Sequence, residues 1–292
     1  FKEYPIDSSL ISLGFWPGGD RDGNPYVTAE TTLKVAKKLK KSILDCYQKE
    51  MEQLKKRLTF KGVLDQIQKI DQRLKASAEE LQNGYETSLE LIQDLKELEE
   101  KVLKNHYGVF ASYIEDFIIS VRVFGFYFAS IDLRQDSSIH AQAVEEVFGI
   151  EGYTEIEEEK KLTLLENLPI PSTDVAHYSS LTKDVLDSLD TVKKIQKENG
   201  VKALHRYIIS NTTSASDVIE VYKFAEHVLE NVPLDIIPLF ESISDLEAAD
   251  QIMLQLYEHP QYKKHLKSRN NKQTVMLGFS DGTKDGGYLR HL

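Results

Sequence analysis

The chain has 292 residues, 41% hydrophobic and 28% charged, a balance that supports a sizeable globular core. Acidic residues outnumber basic ones by 47 to 36, and the formal charge of −11 argues against the basic surfaces that nucleic acids and anionic membranes require. No run of about 18 apolar residues is present to span a bilayer, and the single cysteine, Cys46, rules out an internal disulfide and suits a reducing compartment.

The first residue is Phe1, with no basic start leading into an apolar run, and the last are Arg290-His291-Leu292, just past a glycine-rich turn. Both ends read as those of an internal fragment. Residues 11–16 form the first predicted strand, followed by the charged, glycine-rich loop Gly18-Gly19-Asp20-Arg21-Asp22-Gly23-Asn24-Pro25. That loop has neither the lysine of a Walker loop nor the spacing of a dinucleotide fingerprint. Its plainest reading is a tight turn in which Asp and Arg pair with each other.

Residues 30–58, 63–81 and 86–103 place apolar side chains at helical spacing among lysines and glutamates, which predicts long amphipathic helices. A strand is predicted at 123–133, exiting into Arg134-Gln135-Asp136, and then a helix at 139–148. Residues 152–176, with Pro169, Pro171 and a run of glutamates, read as a surface loop. Helix 182–198, strand 206–210 and helix 216–231 follow, the last with Ser216 as N-cap and Asp217 in its first turn. Strand 236–240 exits into Glu241, Ser244 caps a helix over 245–257, and strand 274–279 exits into Ser280-Asp281-Gly282-Thr283-Lys284-Asp285-Gly286-Gly287.

None of the strands alternates cleanly between apolar and polar residues, as expected of strands buried on both faces in a parallel sheet. The predicted class is mostly α with an α/β core: a partial parallel β/α barrel of about five strands embedded in many long helices. In such folds chemistry gathers beyond the carboxyl ends of the strands. Glu241 and Asp281, each just past a predicted strand, are the best-placed pair to hold a Mg²⁺ ion, which keeps waters and takes further ligands from a phosphorylated substrate. Arg134 and Lys284 would supply positive donors for phosphate or carboxylate, Arg134 as a bidentate fork. The eight histidines form no metal-binding pair at close spacing, and Cys46 has no histidine nearby in sequence, so neither zinc nor a cysteine nucleophile is supported.

Four blocks of residues resemble the phosphoenolpyruvate carboxylase family. Residues 275–287 are similar to its signature around G-Y-S-D-S-x-K-D-x-G, residues 15–25 to W-x-G-G-D-R-D-G-N-P, residues 131–137 to D-I-R-Q-E-S, and residues 238–241 to P-L-F-E. The resemblance implies that residues 1–292 are one fragment of that enzyme's barrel domain, with a long-helix insertion at about 29–108. It further implies Glu241 and Asp281 as ligands of Mg²⁺ or Mn²⁺, Arg134 and Lys284 as catalytic, Arg134 on the substrate phosphate, and Leu239 and Met276 in an apolar pocket for carbon dioxide. The implied reaction is that of a carbon–carbon lyase. Bicarbonate attacks phosphoenolpyruvate, and the carboxyphosphate and enolate so formed yield oxaloacetate and phosphate for the tricarboxylic acid cycle. No biotin takes part.

The implied setting is cytoplasmic, in a homotetrameric parent enzyme with no nucleic-acid or membrane partner. Phe279, Gly282 and Asp136 depart from the family's tyrosine, serine and glutamate, and Ser130 stands where some relatives have a further arginine. The family's T-A-H-P-T-E and H-G-R-G-G blocks, which serve proton transfer and phosphate binding, are not within these residues. The chain alone is therefore expected to be inactive. The alternatives are a catalytically silent scaffold or regulatory relative of the same fold, and another metal-dependent barrel enzyme acting on phosphoenolpyruvate or an enolate.

Overall fold

The computed structural model describes residues 12–168, 177–229 and 231–287. The chain divides into two compact units, one comprising Phe1–Phe15, Leu33–Ser130 and Ile195–Ala203, the other Trp16–Thr32, Ile131–Lys194 and Leu204–Leu292.

The first unit is helical. It holds most of α1 (Ala29–Arg57), with α2 (Leu64–Ala78), α3 (Ser88–Asn105) and α4 (Ala111–Phe124). One apolar stripe from each helix meets in a common core, where Met51, Leu58, Ile67, Leu74, Leu91, Leu95, Leu98 and Ile114 are fully buried. Helix α3 begins with a capping box in which Thr87 and Glu90 satisfy each other's backbone N–H. The predicted helices 30–58, 63–81 and 86–103 are found with ends shifted by a few residues.

Helix α4 overturns part of the strand predicted at 123–133. Ile114, Phe117, Ile118 and Val121 repeat at helical spacing, so the β-branched run continues a helix as far as Phe124. Gly125, at φ 51°, ends that helix, and the strand starts only at Ser130.

The second unit is built from alternating strands and helices. It holds nearly all of β2 (Ser130–Asp136), with β3 (Arg206–Ser210), β4 (Asp235–Phe240) and β5 (Met276–Leu277), while β1 (Gly14–Phe15) falls in the first unit; the sheet order is β1-β2-β3-β4-β5. The β2–β3, β3–β4 and β4–β5 pairs are parallel. Helices α5 (Ser137–Phe148), α6 (Glu158–Asn167), α7 (Ser180–Asn199), α8 (Ala215–Val228), α9 (Ile243–Glu258) and α10 (Pro260–Ser268) occupy the connections, and α11 (Phe279–Gly286) follows β5. The chain is mostly helical and contains a five-stranded half-barrel sheet, as the sequence predicts.

Differences from expectation are local. Residues 152–176 are not simply a loop: a single 3₁₀ turn at Tyr153–Glu155 leads to α6, while 169–176 lie outside the described residues. So do Ile11 and the terminal Arg290-His291-Leu292. The cap of α8 is Ser214 rather than Ser216, because Asp217 accepts from the Ser214 N–H at 3.0 Å. Ser216 instead donates its N–H and hydroxyl to Glu158 of α6. Ser242 rather than Ser244 caps α9. Strand β5 is only two residues long, since Phe279 already opens α11.

Candidate functional site

Arg134 lies inside β2 rather than beyond it, beside the loop of residues 18–21. Gly19 O accepts from Arg134 N at 3.0 Å, and Arg134 O accepts from Arg21 N at 2.9 Å, so the loop runs alongside β2 as a further stretch of sheet with Asp20 opposite Arg134. Only glycine permits that approach at position 19: a Cβ there would stand 2.1 Å from Asp132 O. The loop is fixed from behind by Arg21, which is buried and paired with Asp184 of α7, and by the Thr32 hydroxyl, which donates to Gly18 O at 2.6 Å. Pairing of Asp and Arg within the loop is thus overturned. Arg21 reaches another element, and the loop's aspartates face Arg134.

The guanidinium of Arg134 is held on three sides. Its Nε and Nη2 donate to the two carboxylate oxygens of Asp20 at 2.7 and 3.0 Å. Asp22 Oδ2 is 3.6 Å from Nη2, and Glu241 Oε1 is 4.0 Å from Nη1. The Trp16 ring sits 4.9 Å from the guanidinium carbon. Burial works against the charge of Arg134, but Asp20, Asp22 and Glu241 more than offset it and raise its pKa.

Glu241 leaves the end of β4 half-buried. Gly278 comes against it, donating its N–H to Phe240 O at 2.8 Å, and a Cβ at 278 would be 3.0 Å from Glu241 Cα. That close approach starts α11 beside Glu241 and carries Asp281 in its first turn. Asp285, one turn on, accepts from Ile243 N at 2.9 Å and ties α11 to the start of α9. The Glu241 carboxyl is raised above the usual range by burial and then by the negative charge of Asp281, with Asp22 and Asp245 adding and Arg134 opposing. Lys284 is exposed and donates to Asp281 Oδ1 at 3.2 Å.

Leu239 and Met276 are register partners across β4 and β5. With Ile208 and Ile237 they form a small apolar cluster against which Trp16 packs. One tryptophan therefore borders both the arginine and the apolar patch. Its part, like those of Asp20 and Asp22, escapes a reading that ranks residues by strand exit. The signal that could have found them is the charge-dense glycine loop itself.

Fold and site define a parallel β/α half-barrel whose guanidinium, carboxylates and apolar patch converge at the carboxyl ends of its strands. The chain belongs to the phosphoenolpyruvate carboxylase family: a family model of that description matches residues 1–84 and 61–291. The phosphoenolpyruvate carboxylase of Nitrosomonas eutropha is 32% identical over 348 residues, an alignment covering 99% of this chain and 37% of the relative. Those of Xanthomonas euvesicatoria pv. vesicatoria and Nitrosomonas europaea are each 30% identical, over 98% and 99% of this chain and 36% and 37% of their own length. The chain thus spans little more than a third of the curated relatives it matches. The alignments are longer than the chain, so the relatives carry residues it lacks. Among the described residues no helix is long and apolar enough to cross a membrane.

Proposed function

We propose that this chain forms the metal-binding and part of the phosphoenolpyruvate-binding apparatus of a carboxylase that makes oxaloacetate and phosphate from phosphoenolpyruvate and bicarbonate. The observation that carries the reading is the convergence of Arg134, Glu241 and Asp281 beside the Trp16, Leu239 and Met276 patch. With Asp20 on one edge of its fork, Arg134 keeps its Nη1 donors for the substrate phosphate. Leu239, Met276 and Trp16 exclude water from the carbon dioxide and enolate that must meet there. Lys284, one helical turn beyond Asp281, adds a positive charge on the substrate side.

The acidic pair suits Mg²⁺ or Mn²⁺. Among the described residues no cluster of three or more ligating side chains occurs, and a hard cation that takes waters and substrate oxygens needs only one or two carboxylates. The mutual repulsion of Glu241 and Asp281 is what a dication would relieve. When bound, it supplies the positive charge that stabilises an enolate oxygen. We expect Mn²⁺ to bind the chain, and Glu241→Ala with Asp281→Ala to weaken binding at least about tenfold, read by water-proton relaxation. Unchanged relaxation in the double variant would remove both residues from the metal site.

The chain on its own is proposed to be inactive, because the family's histidine block and its arginine-rich glycine loop lie outside these 292 residues. An assay coupling oxaloacetate to NADH oxidation should give no turnover above background. Measurable turnover by the purified chain would refute that part of the reading. An exposed free thiol at Cys46 fits a cytoplasmic setting.

A further inference from the structure

Asp20 and Asp22, two of the carboxylates beside Arg134, belong to one loop, and the arrangement is more elaborate than an ion pair requires. A lone surface pair needs neither a backbone ladder nor a buried anchor. Here Asp20 is placed opposite Arg134 by two backbone hydrogen bonds. Gly19 is admitted to within reach of the Asp132 carbonyl only for want of a Cβ. Arg21, 6% exposed, secures the loop to Asp184 on the far side.

A guanidinium offers one side-on edge, through Nε and one Nη, and one end-on edge through both Nη atoms. Asp20 occupies the side-on edge with both oxygens, while Trp16 bounds the guanidinium on one side. What no hydrogen bond takes is Nη1 with the outer hydrogen of Nη2, where Asp22 Oδ2 stands 3.6 Å from Nη2 and Glu241 Oε1 4.0 Å from Nη1. An arginine otherwise has rotamer entropy to lose on binding an anion.

We propose that Asp20 is a positioning residue: it presents the end-on edge of Arg134 to the substrate's phosphate group, and the residue 18–22 loop exists to place that one carboxylate. The proposal rests on the reading of Arg134 as the phosphate ligand. It makes a counterintuitive demand. Removing a negative charge from beside a phosphate site should tighten anion binding if charge alone mattered, whereas loss of positioning should weaken it.

The test uses the 292-residue chain with inorganic phosphate as probe, following binding by titration calorimetry and the Arg134 Nε–H signal by ¹H–¹⁵N spectroscopy. Asp20→Asn is expected to weaken phosphate binding about fivefold or more and to shift the Nε–H signal toward that of a freely rotating arginine, with the thermal midpoint of the chain little changed. Arg134→Gln should abolish binding, and adding Asp20→Asn to it should cost nothing further. Should Asp20→Asn fail to fold, Arg134→Lys keeps the charge but not the fork and is expected to lose phosphate by a similar factor. Equal or tighter binding in Asp20→Asn, an unmoved Nε–H signal, or wild-type affinity in Arg134→Lys would each overturn the proposal. Phosphate binding unaffected by Arg134→Gln would instead overturn the underlying reading of Arg134.

Discussion

Gly19→Ala is expected to cost about 3–5 kcal/mol of stability in the second unit, from overpacking and the loss of two backbone hydrogen bonds. The added methyl carbon would lie 2.1 Å from Asp132 O, 2.9 Å from Asp132 C and 2.8 Å from Ile131 Cγ2. Two of those three atoms are backbone in the middle of β2, so no rotamer change relieves the overlap. The loop has to move away from the strand. Moving it breaks the Arg134 N to Gly19 O and Arg21 N to Arg134 O hydrogen bonds and withdraws Asp20 from Arg134. Gly23, four residues on, provides the control. Its φ is +64° and nothing lies within 4 Å of a Cβ there, so Gly23→Ala should cost only about 1 kcal/mol, for the left-handed backbone. Urea denaturation of the two variants separates the causes. If Gly19→Ala is no worse than Gly23→Ala, the close approach to β2 is not what glycine serves at position 19.

Strands 206–210 and 236–240 are legible in the sequence because each is a short β-branched run between polar turns, and the structure places β3 and β4 there. The same cue misleads at 123–133. That stretch is equally apolar, and only the spacing of Ile114, Phe117, Ile118 and Val121 upstream shows that a helix enters it. Helix α6 is hidden for the opposite reason: Leu165 is its one fully buried residue, so its charged sequence carries almost no periodicity. Helix α11 contains Gly282 and Gly286, which lower helix propensity and make the segment read as a turn.

Candidates such as Glu241 and Asp281 are legible in the same way, since ionisable groups past strand ends stand out. Their partnerships are not. Asp20 and Arg134 lie 114 positions apart, and Arg21 finds Asp184 on a helix with which it shares no local pattern. The sequence shows that the loop is dense in charge and glycine. Which aspartate faces which arginine follows from the β2 register and the space beside Asp132, and those are facts of packing.

Burial makes Glu220 a group whose neutral replacement should change stability with pH. It lies on α8, fully buried, accepting a hydrogen bond from Tyr153 Oη at 2.9 Å through Oε1. Burial first, and then the charge of Asp217 one turn earlier, push its carboxyl up to about 8, with Glu158 of α6 adding and Tyr153 and Lys161 opposing. A carboxyl with a raised pKa binds its proton more tightly folded than unfolded. Its contribution is therefore intact below the unfolded value of about 4.5 and is lost as pH rises toward 8, at roughly 1.4 kcal/mol per pH unit.

Other groups obscure that slope in acid. Burial holds His140 down to about 3 and His265 to about 4, so each adds stability as pH rises toward the ordinary histidine value. Above about 6.5 those histidines are neutral in both states, and the fall due to Glu220 stands alone among them. Glu220→Gln keeps the shape and an acceptor for Tyr153 while removing the titration. Its stability relative to the wild-type chain should accordingly rise from pH 6.5 to 8, by about 2 kcal/mol over the window. Urea midpoints at several pH values measure the difference directly. A difference independent of pH would mean that Glu220 is ionised in the folded protein, held by groups other than the acidic neighbours that now surround it.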